Sequence, residues 1–186
     1  MRREQQQLPS PVQNPPNRIW GMDMTKVKIP SYGWAYLHLV LDWGSKKLVG
    51  WQMSQTSKTN DWLEALYQEV NNQFPNGYRQ NDKPLMLVTD NGCQPTSHAF
   101  KRQCSEIGLN QIFTSFYNPR GNADTERIIR TIKEDLIWIN EWESFEHLKE
   151  AIKDWVIDYN LDFPHSSLNQ MTPYQYEKNF NDYYAI

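Results

Sequence analysis

The sequence lacks the features that mark membrane, secreted and zinc-binding proteins. Its 186 residues contain no apolar run of about 18 residues, the length that crosses a bilayer. Residues 1–16 lack the apolar segment of a signal peptide. The two cysteines and four histidines show neither a disulfide framework nor zinc-ligand spacing. These absences predict a soluble cytoplasmic protein with reduced thiols and no membrane partner.

An excess of positive charge is also missing. The formal net charge is −3 at pH 7, which argues against a protein that is basic over its whole surface. The local field, rather than the net charge, steers a polyanion, and bound metal ions neutralise nearby acids. A local basic face therefore stays compatible with this composition.

The chain is long enough for one domain with one core. Residues 1–17, rich in Gln, Pro, Arg and Asn, predict a flexible leader or linker, residues 18–177 a folded core, and residues 178–186 a tail. Within the core, the apolar patterns predict three antiparallel strands followed by helix, strand, helix, strand and helix. This order predicts an α/β fold, with a parallel pairing in its second half.

Three carboxylates stand in distinctive local sequences. Asp23 (Trp-Gly-Met-Asp-Met-Thr) and Asp90 (Val-Thr-Asp-Asn-Gly) each end a predicted buried strand, and Glu126 begins a helix that comes after a Pro/Gly/Asn-rich loop. Carboxylates on rigid elements suit hard ions such as Mg²⁺ or Mn²⁺, and a pair of such ions supports phosphodiester chemistry. The neighbouring acids Asp42 and Asp124 are interpreted as a turn residue and a helix cap.

The predicted helix over residues 123–139 has two distinct faces. With Glu126 at zero and 100° per residue, Arg130 falls near 40° and Lys133 near 340°, so both cations share the face of the carboxylate. The opposite stripe is apolar and predicts burial of Ile128, Ile129, Ile132, Leu136 and Ile139.

These motifs resemble the acid triad of the DDE transposase and retroviral integrase catalytic core. Thirty-five residues separate Asp90 from Glu126, the spacing that characterises that superfamily. The segments 40–51, 89–97 and 159–173 look like bacterial insertion-sequence transposases. Many relatives carry Arg before the Pro-His pair, where this chain has Phe163.

The resemblance implies an RNase H-like fold, a mixed five-stranded sheet with helices on both faces. It implies an enzyme, a polynucleotidyl transferase that cuts element ends and transfers their 3′-hydroxyls to target DNA with two Mg²⁺ or Mn²⁺ ions. Asp23, Asp90 and Glu126 would be catalytic and bind the metal ions, with Asp23 bridging them. The candidate DNA contacts are Arg130, Lys133, Arg120 and Asn91, with Lys46 and Lys47 as weaker candidates.

The resemblance further implies a bacterial protein that acts at the nucleoid, a homo-oligomer in the active complex, and an upstream DNA-binding domain or companion polypeptide. Two alternatives remain open: an RNase H-like nuclease without strand transfer, and an inert DNA-binding or assembly domain. Asn91-Gly92 is equally well explained by turn formation, and His165 is interpreted as a structural hydrogen-bonding residue.

Overall fold

The computed structural model describes residues 15–75, 85–114 and 122–184. The five strands are β1 (Ile19–Ile29), β2 (Gly33–Asp42), β3 (Leu48–Ser54), β4 (Met86–Thr89) and β5 (Asn110–Phe113). The α-helices are α1 (Thr59–Gln73), α2 (His98–Glu106), α3 (Ala123–Ile132), α4 (Phe145–Asp162) and α5 (Pro173–Tyr184). A π turn (Lys133–Ile137) follows α3, and a 3-10 turn (Ser166–Leu168) precedes α5.

The strands form one mixed sheet in the order β3-β2-β1-β4-β5. The β1, β2 and β3 strands pair antiparallel, while β4 pairs parallel with both β1 and β5. Because β4 is short, it pairs only with Ile19–Gly21 of β1. The later part of β1 pairs with β2 alone among the described strands.

Helices cover both faces of the sheet, as predicted. On one face α3 and α4 pack against alternate residues of β1 and β2, including Val27, Ile29, Leu37 and Leu39. On the other face α1 and α2 bury Trp20, Met22 and Val40. The period-two alternation of strand side chains divides the apolar residues between these two cores.

The helix predicted over residues 123–139 is not one continuous α-helix. It stays α-helical to Ile132 and then forms the π turn, in which Trp138 N donates to Lys133 O at 2.8 Å. The wider turn rotates the residues after it, so Ile137 is buried at 5% exposure while Ile139 is 69% exposed. The predicted burial of Ile139 was therefore wrong.

Asp124 is not the helix cap that its position predicted. The N-cap of α3 is Asn122, and Asp124 lies in the first turn, where it forms an ion pair with Lys46 at 2.9 Å. Asp42 does belong to a turn: it ends β2 and accepts hydrogen bonds from Ser45 N, Ser45 Oγ and Asn17 N.

The structure is ordered on both sides of the boundaries predicted for the core, residues 18 and 177. Asn17, the last residue of the predicted leader, donates its backbone N–H to Asp42 Oδ1 at 3.0 Å. The α5 helix continues past residue 178, where a tail was expected to begin. None of the helices in the described ranges has the length and apolar content of a membrane span.

Candidate active site

Asp23 lies in the middle of β1, the central strand of the sheet, opposite Leu39 of β2. The prediction that Asp23 ends its strand was wrong, because β1 continues to Ile29 through its pairing with β2. Its side chain is half-buried on the face covered by α3, since it shares its strand face with the buried residues Thr25 and Val27. One carboxylate oxygen accepts the backbone N–H of Met24 at 2.7 Å. The sheet therefore holds this acid on a rigid, paired strand.

Asp90 directly follows β4, the strand that pairs in parallel with β1. Its side chain is exposed, and Oδ1 accepts the Gly92 N–H at 2.9 Å. The next residue, Asn91, donates its side-chain amide to Thr114 O at 2.5 Å, which ties the loop after β4 to the end of β5. Asn91 thus has a structural contact, and its DNA contact stays a prediction.

Glu126 lies in the first turn of α3 with its side chain exposed. The preceding residue, Thr125, is fully buried and accepts a hydrogen bond from Trp43 Nε1 at 3.0 Å. Both side chains pack on Gly21, where a Cβ atom would overlap Thr125 Oγ1 and Trp43 Nε1. The missing side chain at Gly21 therefore lets the start of α3 approach β1 two residues before Asp23.

Sequence reasoning missed this contact. Gly21, Thr125 and Trp43 were not among the predicted site residues, although they set the approach of the helix that carries Glu126. A glycine inside a buried strand is itself informative, because it often marks a place where another part of the protein comes close. Gly21 can be seen in the sequence of β1, but the sequence does not show that Thr125 and Trp43 pack against it.

The three predicted acids interact electrostatically. The pKa of Asp23 is raised from 3.8 to about 6. Burial is the largest cause, the Met24 N–H opposes it, and the negative charges of Asp90 and then Glu126 raise it further. The structure therefore brings the fields of two carboxylates to bear on a third, which disfavours its ionised form when no cation is present.

The donor chemistry of these residues fits a hard divalent ion. Only carboxylate oxygens are offered, the ligands that Mg²⁺ and Mn²⁺ prefer. A cation would also relieve the mutual repulsion that raises the pKa of Asp23. In the described part of the chain, no three His, Cys, Asp or Glu side chains already stand in a metal-binding arrangement.

The two predicted cations of the Glu126 face differ in their surroundings. Lys133 is half-buried, and its charge lowers the pKa of Asp23, so its field reaches the acid site. Arg130 is exposed and pairs with Glu134, with 3.0 Å between Nε and Oε1. Lys133 is therefore the cation more directly associated with the carboxylates.

The remaining candidate cations lie elsewhere. Arg120 falls outside the described residues. Lys46 pairs with Asp124 at 2.9 Å and Lys47 with Glu177 at 2.5 Å, and both ion pairs are partly buried. These contacts give both lysines a role in joining the turn after β2 to helices α3 and α5.

Family models of known domains decide the classification of this fold and site. An integrase core domain model matches residues 13–119, more than half of the chain, and a second integrase core domain model matches residues 107–173. The chain belongs to the integrase core domain family. The resemblance seen in the motifs is thereby confirmed.

Curated relatives of this integrase core domain are insertion-sequence transposases. The chain is 29% identical to the transposase for insertion sequence element IS904 of Lactococcus lactis, over 88% of this chain and 62% of the relative. It is 30% identical to a putative transposase for IS986/IS6110 of Mycobacterium tuberculosis, over 78% of this chain and 52% of the relative. The chain thus spans between half and two-thirds of the length of these relatives.

Solved structures confirm the RNase H-like fold. The catalytic core domain of HTLV-2 integrase in complex with magnesium has a TM-score of 0.60 at 21% identity, covering 88% of this chain and 97% of that chain. A simian T-cell lymphotropic virus intasome in complex with PP2A regulatory subunit B56 gamma has a TM-score of 0.67 at 20% identity, covering 88% of this chain and 55% of that chain. At these identities the likeness establishes the fold.

Proposed function

We propose that this integrase core domain is the catalytic core of a metal-dependent DNA transposase. The observation that carries the proposal is the electrostatic coupling of Asp23 to Asp90 and Glu126, three acids supplied by separate elements of the fold. Its transposase relatives support DNA as the substrate. The predicted reaction cuts element ends and joins their 3′-hydroxyls to target DNA.

In this proposal Asp23, Asp90 and Glu126 would hold two Mg²⁺ or Mn²⁺ ions. Such ions activate the attacking oxygen and stabilise the leaving oxygen of a phosphodiester. Asp23 would be the central acid of the site, because it lies on the central strand and both other acids act on it. Rigid backbone support matters here, since misplacement of a catalytic group by about 1 Å costs on the order of 100-fold in rate.

The two chemical steps differ in the nucleophile. In the first, a water oxygen attacks a phosphorus atom at the element end, and the bond from phosphorus to the 3′-oxygen breaks to release a 3′-hydroxyl. In the second, that hydroxyl attacks a phosphorus atom of target DNA and displaces a target 3′-oxygen. Lys133, and Arg130 on the same helix face, would hold the DNA end beside the acids through its phosphates.

The active complex is proposed to be a homo-oligomer. Two DNA ends must be brought together for transposition, and integrase relatives in the solved structures are described as dimeric, trimeric or as an intasome. Recognition of specific ends by an upstream domain or companion polypeptide stays a prediction.

The test is a strand-transfer assay in which a labelled, pre-cut DNA end is offered to a plasmid in Mg²⁺ or Mn²⁺. A mixture of random-end oligonucleotides replaces the unidentified natural end, and plain nicking is scored in parallel. Glu126→Gln removes one ligand charge, while Glu146→Gln removes an exposed charge at the start of α4 and serves as the control.

We expect metal-dependent joined products from the wild type and from Glu146→Gln, and none from Glu126→Gln. Nicking without joining would instead identify an RNase H-like nuclease. Binding of DNA with neither nicking nor joining would identify an inert assembly domain and would overturn the proposal.

A further inference from the structure

A cavity of about 340 Å³ lies beside α3, away from the three acids. On the helical wheel Arg127 and Thr131 fall about 100° and 140° from Glu126, so this wall is a different face of the same helix. The other walls are the turn after β2, the end of α4 and the segment after it, contributed by Lys46, Tyr159, Phe163, Pro164, His165, Ser166 and Ser167. The proposed transposase function assigns nothing to this cavity.

The cavity carries more positive than negative charge. Lys46 and Arg127 both line it, against one carboxylate, Asp124. Asp124 is engaged by Lys46 at 2.9 Å, and Arg127 makes no ion pair with any residue in the described ranges. One guanidinium, a planar fork of donors that matches phosphate oxygens, is therefore available at the wall.

The positive charges of this cavity act on the imidazole of His165. The pKa of His165 is lowered first by burial and then by the positive charges of Lys46 and Arg127. Its Nε2 atom is shielded from solvent and has no hydrogen-bond partner among the described residues. The backbone of His165 is hydrogen-bonded as its structural interpretation predicted: its N–H donates to Met171 O at 3.0 Å, and its carbonyl oxygen accepts from Leu168 N and Gln170 N. A buried polar group without a partner is costly, so a ligand that hydrogen-bonds to this atom would be favoured.

The walls of the cavity are held in place by hydrogen bonds and ring contacts. Tyr159 donates its hydroxyl to Lys46 O at 2.9 Å, and Asn160 bonds both backbone groups of Leu48 at 2.9 Å. The His165 ring packs edge-on against Tyr159 at 5.3 Å. The end of α4 and the turn after β2 therefore form one fixed frame around the cationic groups.

We propose that this cavity is an anion site that takes a backbone phosphate of DNA at a face of α3 other than the one that carries Glu126. The guanidinium of Arg127 binds the phosphate oxygens, and Lys46 adds positive charge at the wall while it stays paired with Asp124. The exposed residues Ser166 and Ser167 lie at the same wall. The volume falls within the range of ordinary ligand pockets and admits a phosphate with its attached sugar. The choice of DNA as the source of the phosphate rests on the proposed function; the anion site itself does not.

The first experiment measures duplex DNA binding as a function of salt, using the full chain with the Glu126→Gln substitution so that no cutting occurs. Arg127→Gln should weaken binding about tenfold at low salt and reduce the slope of log affinity against log salt by about one. Arg102→Gln is the matched control, since Arg102 is an exposed arginine of α2 and its loss removes the same charge elsewhere. Equal effects of the two substitutions would overturn the DNA assignment.

A second variant, designed to strengthen DNA binding, keeps the test valid if Arg127→Gln misfolds. Phe163 lines the cavity and is 41% exposed, so Phe163→Arg can add a third cation without emptying the core. It should tighten DNA binding several-fold and steepen the salt slope, while Phe163→Leu should not. No tightening by the arginine would count against the site.

The second experiment identifies the source of the anion through the His165 ring, followed by NMR. A bound phosphate offsets the field of Lys46 and Arg127, so the pKa of His165 should rise. Asp124 and Tyr159 also line this cavity, and both residues are kept in every protein compared. A rise with a short duplex that Arg127→Gln abolishes supports the proposal. A rise with inorganic phosphate alone would mean a site for free phosphate, and no rise with either would overturn the anion site.

These outcomes separate the two proposals. If strand transfer fails while Arg127→Gln still reduces the salt slope, the cavity is a DNA contact of a core that does not catalyse. If strand transfer succeeds and Arg127→Gln matches Arg102→Gln, the catalytic proposal stands and the cavity proposal fails.

Discussion

Gly21 and Gly50 are strand glycines that a neighbouring side chain approaches closely, one on each face of the sheet. The two contacts have different consequences for the nearby acids. At Gly21 of β1 the neighbours are Thr125 of α3 and Trp43, and at Gly50 of β3 the neighbour is the carboxyl group of Glu69 from α1. In both places a Cβ atom would overlap the neighbouring side chain. The same kind of packing therefore brings one helix toward an acid site and buries an acid in the other core.

The acids near these contacts differ in their surroundings. Glu69 is 2% exposed, accepts a backbone hydrogen bond from Trp51, and leaves Oε2 without a partner among the described residues. Burial raises its pKa to about 9, so it is neutral at pH 7. Asp23 keeps partial access to solvent and two carboxylate neighbours, and its pKa is about 6. Burial alone indicates a structural acid, whereas burial together with like charges indicates a candidate site.

The largest expected effect comes from Gly21→Ala. The new methyl group collides with Thr125 and Trp43, so α3 must move away from β1 and take Glu126 with it. We expect strand transfer to fall about 100-fold or more per folded molecule, with a stability loss of about 1–3 kcal/mol. Gly50→Ala is the control: it should cost similar stability by displacing Glu69, as measured by urea unfolding, while specific activity is kept. Equal loss of specific activity in both variants would contradict the idea that the contact at Gly21, and not the one at Gly50, positions the acid site.

The next largest effect is the pH dependence of the stability that Glu69 causes. Because its folded pKa of about 9 lies above the unfolded value of 4.5, its stabilising contribution is complete below pH 4.5 and is lost as the pH rises toward 9. Stability should fall over this window by about 1 kcal/mol per pH unit, and Glu69→Gln should flatten the fall. Glu64→Gln, on the exposed side of α1, should leave the slope unchanged. Urea unfolding at several pH values measures the slope of stability against pH in all three proteins.

Asp23→Asn should separate stability from activity. The raised pKa means that ionised Asp23 destabilises the fold once the pH exceeds the unfolded value of 3.8, and the full cost is present above about 6. In metal-free buffer at pH 8 the variant should be about 1–2 kcal/mol more stable than the wild type, with no difference below pH 3.8. Added Mg²⁺ should raise the melting temperature of the wild type only. An equal Mg²⁺ response in both proteins would argue against Asp23 as a ligand.

The smallest expected effect distinguishes Lys133 from Arg130. Lys133→Ala removes a charge whose field reaches Asp23, so it should raise the pKa of Asp23 and weaken DNA-end binding about fivefold. Arg130→Ala should cost about twofold, because Arg130 already shares its charge with Glu134. Binding at two salt concentrations, with the pH dependence of transfer, tests both; a reversed order would mean that Arg130 is the principal contact.

The sequence predicts much of this molecule because its strongest patterns are local. The order of strands and helices, the apolar stripe of α3 up to Ile132 and the position of Asp90 after a buried strand each depend on neighbours in the chain, and the structure agrees with them. The shared face of Glu126 and Lys133 was likewise a matter of helix geometry.

The parts that could not be predicted depend on distant partners. Glu69 is one polar residue of an amphipathic helix until Gly50 is known to lie opposite it. The close approach at Gly21 needs Thr125, which lies about a hundred positions further along the chain. The excess charge around His165 is assembled from three separate segments, so no local pattern could reveal it.

The π turn at Lys133–Ile137 gives the helix a place where its length can change. A π turn holds one residue more than an α-helical turn, and the extra residue rotates the later part of the chain while the earlier part keeps its position. Deleting one residue there would restore an α-helical turn, while Glu126 before it and the residues after it kept the faces that they now occupy. Insertions and deletions in this family should therefore be tolerated after residue 133 and selected against before it.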